Sequence, residues 1–403
     1  MLRTKVLVVG AGPSGATAAR FLAGSGIDTI LIERDLSYIK PCGGLMPSSA
    51  LEELQVPQSV VKKTIKKLRI TSPKGQRIHI ELIGGHLCIT ERGLFDTTLR
   101  ELAMHNGASL IEAEFVHCQV SGNQIISVIR KKSTNEEFSI RSDYLIASDG
   151  ITYKVGSTVN LPKPACLFTV NAQVDPLAFA TSVLADGSSV GRRDSATVSA
   201  AMSLNDTDSC EFWFGSQHAS HFYSWVFPSP LHTSIGTGAL DARRLTPMLD
   251  AFVRRRLNKS LHDLEKSGAI SRRRAFRIPS WNRSIFNIKN ILFTGDAAGF
   301  VMPVTYEGIY YAMKSGEFAS RAIVQGKPHA YKNLWNSRFR RRFSLMRRIA
   351  GLFYQGDEQT EKWVAIHKSP EVQEIAMALW LRKESGNRNL LSYLNCFRHL
   401  LKS

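Results

Sequence analysis

A chain of 403 residues is long enough for two or three domains and for a core that needs no covalent staples. Hydrophobic residues make up 43% and charged residues 21%, which excludes a disordered or collagen-like chain. Lys and Arg (52) outnumber Asp and Glu (34), a net +18 that admits anionic lipid, a phosphorylated substrate or nucleic acid as partners but says nothing of fold. The longest apolar run, Ile375 to Leu381, is far short of the roughly 18 residues that cross a bilayer. Cys42, Cys88, Cys118, Cys166, Cys210 and Cys396 are scattered without a CxxC pair. That spacing argues against a disulfide framework and against a zinc site, and a reducing cytosol is the default compartment.

Met1 to Lys5 followed by Val6-Leu7-Val8-Val9 imitates the start of a signal peptide, but Gly10, Gly12, Pro13 and Gly15 break the apolar run at once. Lys5 to Val9 is better read as a buried parallel strand. Gly10-Ala11-Gly12-Pro13-Ser14-Gly15 follows, then a helix from Ala16 to Ala23 with Ala19 and Leu22 inward, then a second strand, Thr29 to Ile32, ending in Glu33. This is the spacing of a dinucleotide site. Gly10 makes the tight turn, Gly12 lets the backbone approach a pyrophosphate, and Gly15 lets helix and strand pack closely. The helix N-terminus offers free N–H groups to the phosphates, and Glu33 can accept from a ribose hydroxyl.

Two later strands break into acidic turns: Tyr144 to Ala147 before Ser148-Asp149-Gly150, and Ile291 to Phe293 before Thr294-Gly295-Asp296. With Arg92 in Thr90-Glu91-Arg92-Gly93-Leu94-Phe95-Asp96, these segments resemble the FAD signature of the large flavoprotein hydroxylase and reductase fold. The resemblance implies that Asp296 holds the ribityl chain and that the following helix, starting at Gly308 and Ile309, aims its N-terminus at the pyrimidine end of the flavin. Arg34, beside Glu33, joins the cofactor contacts on the same ground. Negative charge on reduced flavin would be stabilised there. Tyr153 and Gly156 depart from the pattern, which has Ser and Arg at these places.

Three further motifs, Lys40-Pro41-Cys42-Gly43-Gly44, Tyr223-Ser224-Trp225-Val226-Phe227-Pro228 and the segment Gly295 to Gly316, resemble the geranylgeranyl reductase family over roughly residues 1 to 320. That family saturates isolated C=C bonds of prenyl chains by hydride transfer from flavin N5. Met302, Val304 and Tyr306 stand where the family has Asn, Leu and Gly, so the substrate is less determined than the chemistry. The rival of the same fold is a flavin monooxygenase or halogenase. A non-catalytic flavin-binding redox sensor or membrane-docking protein is the rival of another class.

No nucleophile constellation can be assembled from sequence, and hydride chemistry needs none. Cys42 is a candidate to position substrate or assist proton transfer, with a buried structural thiol as the plain alternative. Gly43 and Gly44 permit close backbone approach to a ligand. Tyr223 and Trp225 alternate with Ser224 and Val226 as the faces of a strand, and line either a prenyl tunnel or the core. Tyr306 is a bulky ring that should reshape the pocket.

The expected architecture is α/β: a Rossmann-type FAD domain (1–64, 90–165 and 283–330), an antiparallel substrate domain (65–89 and 166–282) and a C-terminal helical region (331–403). No second GxGxxG follows a strand, so the electron donor is expected to be NAD(P)H that docks transiently, or a ferredoxin. Phe339, Phe343, Met346, Ala350 and Phe353 recur at helical spacing, with Arg338, Arg340, Arg341, Arg342, Arg347 and Arg348 on the remainder. This helix lies on an anionic membrane surface or packs on the body with a basic outer side. Arg254 to Arg256 and Arg272 to Arg274 add positive surface, but no recognition motif supports nucleic acid. The protein is expected to be cytoplasmic, with peripheral contact at the inner membrane surface.

Overall fold

The computed structural model describes residues 1–185, 204, 208–281 and 285–383. The chain opens with β1 (Leu2–Val9), α1 (Pro13–Gly24), β2 (Thr29–Glu33), β3 (Leu45–Pro47) and α2 (Ser48–Glu53). Then come β4 (Val61–Ile65), β5 (Lys67–Thr71), β6 (Arg77–Glu81), β7 (Leu87–Thr90), α3 (Arg92–His105), β8 (Ser109–Ser121), β9 (Gln124–Lys131) and β10 (Glu137–Ala147). The middle carries α4 (Lys154–Thr158), β11 (Cys166–Val174), α5 (Pro176–Ala185), β12 (Ser209–Trp213), β13 (Ser224–Pro228) and β14 (Thr233–Ala239). The rest is α6 (Leu245–Leu257), α7 (Leu261–Lys266), β15 (Ile270–Pro279), β16 (Asn287–Ile288), β17 (Ile291–Phe293), α8 (Ile309–Val324), α9 (Ala330–Trp335), α10 (Arg341–Phe353), α11 (Asp357–Ala365) and α12 (Pro370–Trp380).

The first sheet is built on parallel pairings of β8, β2, β1, β10 and β17. Strands β1, β2 and β17 and the end of β10 are buried and rich in Val, Ile and Leu, as a sheet covered on both faces requires, while β8 is only partly buried. Their carboxyl ends meet: Ser148 N–H donates to Val9 O at 2.8 Å and Thr294 N–H to Ala147 O at 3.0 Å. The Gly10 turn, Asp149 and Asp296 are thereby set side by side, where ligands of open α/β sheets bind. The outer halves of β8 and β10 each pair with β9 in antiparallel register.

Helices α1 and α8 cross on one face at close range because glycine and serine line the contact. A Cβ on Gly316 would overlap the Ser14 carbonyl, and Ser320 Oγ donates to Ala18 O at 3.0 Å. The helix after the second acidic turn is thus locked to the helix after the first.

The second sheet runs β15-β11-β14-β13-β12-β5-β6, and among the described strands only β12 with β5 is parallel. It takes in residues 67–81 as well as the middle of the chain. Strand β7 pairs instead with β3 and β4. One face of this sheet packs on α6, where Val226, Phe252 and Trp213 share a core. The other face looks toward the first sheet. His218 is buried on the α6 side, 5.4 Å from the Phe252 ring, with Nδ1 on Ser224 Oγ at 2.9 Å.

Burial holds the His218 pKa down to about 4, against 6.5 for an ordinary histidine. The neutral ring is therefore the form the fold accepts. Its stability is whole above pH 6.5 and is lost as pH falls toward 4, by about 3 kcal/mol from this group. Thermal melting from pH 7 to 4 should show that loss reduced in His218→Gln. Equal pH profiles would assign acid lability to carboxylates alone.

In the C-terminal helical region, Arg338–Phe353 packs its apolar face on the body, one of the two readings of this stretch, and only Arg342 departs from it. The first turn is a π-helix, 336–340, and α10 follows. Phe339 and Phe343 are fully buried against Tyr311 of α8, at 5.3 and 4.9 Å between ring centres. Arg342, assigned to the basic side, is buried, and Arg338 is held by Glu53 at 2.6 Å. Leu345 and Ile349 are buried, while Ala350 is only half-buried. The apolar face is spent on the body of the protein. Among the described residues no helix is long and apolar enough to cross a membrane. Residues 384–403, including Cys396, lie outside the described part.

Candidate functional site

One cavity of about 1180 Å³ runs from the carboxyl ends of the first sheet to the inward face of the second. It exceeds the range of about 300 to 1,000 Å³ usual for a drug-sized ligand, so it has room for a cofactor and a second molecule. At one end lie Gly10, Gly12, Pro13, Ser14, Glu33, Arg34, Asp149, Gly150, Asp296, Gly308 and Ile309. Gly15 sits behind them. A Cβ there would overlap the Gly10 carbonyl, so its hydrogen lets α1 approach β1. Gly295, at φ +58°, turns the chain into Asp296.

These residues form a cradle. Among the described residues, Gly12 caps α1 with no side-chain partner, and a Cβ on it would meet nothing within 4 Å. Gly308 caps α8, also without a side-chain cap. Two helix N-termini therefore open into one cavity with N–H groups to give. Glu33 steadies the turn, taking the Ala11 N–H on Oε2 at 2.8 Å. Asp149 takes the Val155 N–H on Oδ2 at 2.9 Å, while buried Oδ1 has no hydrogen-bond partner among the described residues. Burial raises its pKa to about 6, a position that a donor on a bound ligand would relieve. Asp296 pairs with Lys40 at 2.5 Å, and its Oδ1 faces Gly308.

Some predicted residues are placed differently from their sequence roles. Arg92 reaches the cavity, but its guanidinium is buried in a bidentate pair with Asp96 at 3.0 and 2.7 Å and lies beside the Cys42 thiol. Tyr153 and Gly156, the two departures from the FAD pattern, compensate each other. Tyr153 is fully buried, and a Cβ on Gly156 would overlap its ring.

At the other end the wall is apolar. Tyr223, Trp225 and Phe227 line it from the second sheet, while Val226 faces α6. Phe212 joins them at 5.1 Å from Tyr223 and 5.2 Å from Phe227, with Trp380 of α12 at 6.1 Å. Leu68, Ile70, Ile80 and Leu82 extend the lining. Cys42, Gly43 and Gly44 sit between the two ends. Gly44 has φ +71° and no room for a Cβ beneath Thr90. Cys42 Sγ accepts the Gly44 N–H at 3.3 Å, and the residue is exposed to the cavity. Tyr306 is part of the lining. Its ring stacks on Phe222 at 4.1 Å and its hydroxyl donates to His221 O at 2.5 Å.

Sequence reading missed Lys40 as partner of Asp296, although it stands in a quoted motif. It also missed Phe212, whose alternation in Ser209–Trp213 was visible, and Trp380, for which there was no local signal.

The residues fit a flavin dinucleotide: an uncapped glycine turn for a pyrophosphate, a buried carboxylate lacking a donor, and a second helix terminus for the ring. The fold and cradle define an FAD-binding flavoprotein. The FAD binding domain family matches residues 3–317, and the chain belongs to it. It is an FAD-dependent oxidoreductase. The chain is 27% identical over 394 residues to a geranylgeranyl diphosphate reductase of Rhodobacter capsulatus, covering 95% of this chain and 93% of that one. A geranylgeranyl bacteriochlorophyll reductase-like protein from Thermoplasma acidophilum shares the fold at TM-score 0.76, with 22% identity and 100% and 99% of the two chains covered. A flavin-dependent brominase shares it at TM-score 0.73 and 15% identity, over all of both chains.

Asp296→Ala is expected to weaken FAD binding about tenfold or more, since a charged hydrogen-bond acceptor is lost at the cradle. Titration of apoprotein with FAD checks it. Full retention would remove Asp296 from the cofactor site.

Proposed function

We propose that this protein reduces isolated C=C bonds of a prenyl chain carried by a small molecule or lipid. The observation that carries the reading is the single cavity joining the dinucleotide cradle to an aromatic and aliphatic wall. When bound and reduced, FAD supplies a hydride there. The protein's own residues do the rest. Phe212, Tyr223, Trp225, Phe227 and Trp380 hold an apolar chain and exclude water, and burial keeps the Tyr223 hydroxyl un-ionised. Tyr223 is anchored by its hydroxyl to Thr305 O at 2.8 Å, so the wall and the segment before α8 move as one. Cys42, between cradle and wall, is placed to orient the alkene or pass a proton to its second carbon. NAD(P)H or a ferredoxin would reduce the flavin.

The test is anaerobic incubation of the reduced, FAD-loaded protein with geranylgeranyl substrates, followed by mass spectrometry. Gain of two hydrogens per bond supports the reading. A hydroxylated or halogenated product formed only in air would replace it with oxygen chemistry, and bound, reduced flavin with no product under either condition would support a sensor. Cys42→Ala should slow reduction about a hundredfold while FAD stays bound. Unchanged turnover would leave Cys42 a packing role.

A further inference from the structure

The segment entering α8 is held in a shape that its residues do not favour. Val304 has φ +73° and Tyr306 φ +52°, and a β-branched residue is a poor occupant of the left-handed region. Such backbone persists where its surroundings over-determine it. Three tyrosine hydroxyls do part of this: Tyr306 to His221 O at 2.5 Å, Tyr223 to Thr305 O at 2.8 Å and Tyr354 to Val304 O at 3.3 Å. The fourth tether is ionic. Lys383 Nζ lies 2.6 and 2.5 Å from the two oxygens of Glu307, with the side chains 3% and 7% exposed. The ammonium also stands over the rings of Tyr310 and Tyr311, at 4.6 and 5.5 Å.

Lys383 comes just after α12, whose end is pinned by Ser49 Oγ donating to Leu381 O at 2.6 Å and by Arg382 on Glu374 at 2.5 Å. Helix α12 lines the apolar half of the cavity, and Glu307 lines the flavin half next to the Gly308 cap. The ion pair therefore joins the two halves through residues 76 positions apart.

We propose that Lys383 is a positioning residue for the flavin: by holding Glu307 it fixes the strained 301–308 segment and the N-terminus of α8 in the geometry that receives the ring. This rests on FAD occupying the cradle, and is independent of the substrate. The charged and titratable groups around the ammonium include Glu307, Tyr310 and Tyr311, Arg342 of α10 and Glu53 of α2. Burial lowers its pKa to about 8, so the tether weakens as pH rises through that value. Fold stability moves the other way. An ammonium disfavoured by burial costs the fold below pH 8, and the cost fades as pH rises from 8 toward 10.5.

The experiment compares full-length wild type, Lys383→Met, Lys383→Arg and the double variant Glu307→Gln/Lys383→Met. Its readouts are apoprotein melting, FAD titration and the visible circular dichroism of bound flavin. Lys383→Met alone strands a buried carboxylate and should lower both melting temperature and FAD affinity. The double variant removes that stranded charge and should recover melting, yet still bind FAD about tenfold more weakly with altered dichroism, because the tether is gone. Lys383→Arg should restore most of the affinity. Wild-type FAD binding should weaken above about pH 8, and the step should vanish in both Met variants. FAD affinity that recovers together with melting in the double variant would overturn the proposal, as would unchanged FAD binding in Lys383→Met. Wild type that binds no FAD would instead sink the flavin reading beneath it.

Discussion

Gly12→Ala is expected to leave the apoprotein as stable as wild type and to weaken FAD binding about a hundredfold or more, roughly 3 kcal/mol. Gly12 has φ −74°, a conformation open to alanine, and a Cβ there would meet no atom of the described residues within 4 Å. What the methyl group would occupy is the mouth of the α1 turn, where the backbone must come close to a pyrophosphate. Gly15→Ala makes the contrast. Its Cβ would overlap the Gly10 carbonyl and lie 3.0 Å from Ser148 Cβ, so α1 must move away from β1. That should cost about 3 kcal/mol of fold stability and take FAD binding with it. Melting curves and FAD titrations on the two variants separate a residue kept small for the ligand from one kept small for the fold. Full affinity in Gly12→Ala would mean that no phosphate approaches this turn.

The cradle was legible in the sequence because each of its parts is local. An apolar strand running into a glycine turn (Gly10 to Gly15) or into an Asp-Gly or Gly-Asp turn (Asp149-Gly150, Gly295-Asp296) is a short-range pattern, and these three strands lie parallel with their ends aligned. The backbone bonds Ser148 to Val9 and Thr294 to Ala147 do the aligning, so the fold had only to bring ready-made turns together. The far wall was less legible. Tyr223 and Trp225 announced themselves by alternation, but Trp380 belongs to an ordinary-looking helix, and only the packing of α12 brings it to Phe212. Within the basic stretch, one arginine was out of reach for the same reason. Arg341 and Arg342 are adjacent and identical in type, yet one is exposed and the other buried, because α10 turns the second toward Tyr311 and Lys383. Helical periodicity finds a face, and charge alone does not say whether an arginine on its border is solvated or paired. Lys383 and Glu307 carry no signal at all until the chain closes.

Gly43→Val is expected to leave FAD binding near wild type while prenyl turnover falls about a hundredfold, the scale of a misplaced reacting group. Gly43 lies between the cradle and the aromatic wall, and a Cβ on it would come within 2.6 Å of Phe227 Cδ2 and 3.6 Å of Trp225 Nε1. Neither ring can retreat. Phe227 is backed by Phe212 at 5.2 Å and flanked by Trp225 at 6.2 Å. Trp225 is pinned by its indole N–H to Ser234 Oγ at 3.0 Å and pressed onto Gly236, where a Cβ would overlap it. The added bulk must therefore go forward, swinging Phe227 into the space meant for an apolar chain. The cradle should stay in place, because a Cβ on Gly43 meets Phe227 and Trp225 first, rather than Gly12, Asp149 or Asp296. Gly43→Ala, whose single methyl pushes Phe227 forward less far, should fall between wild type and Gly43→Val. FAD titration together with anaerobic turnover distinguishes the outcomes. Wild-type turnover in Gly43→Val would place the substrate away from this wall, while loss of FAD would show that the Lys40 to Gly44 segment serves the cofactor before the substrate.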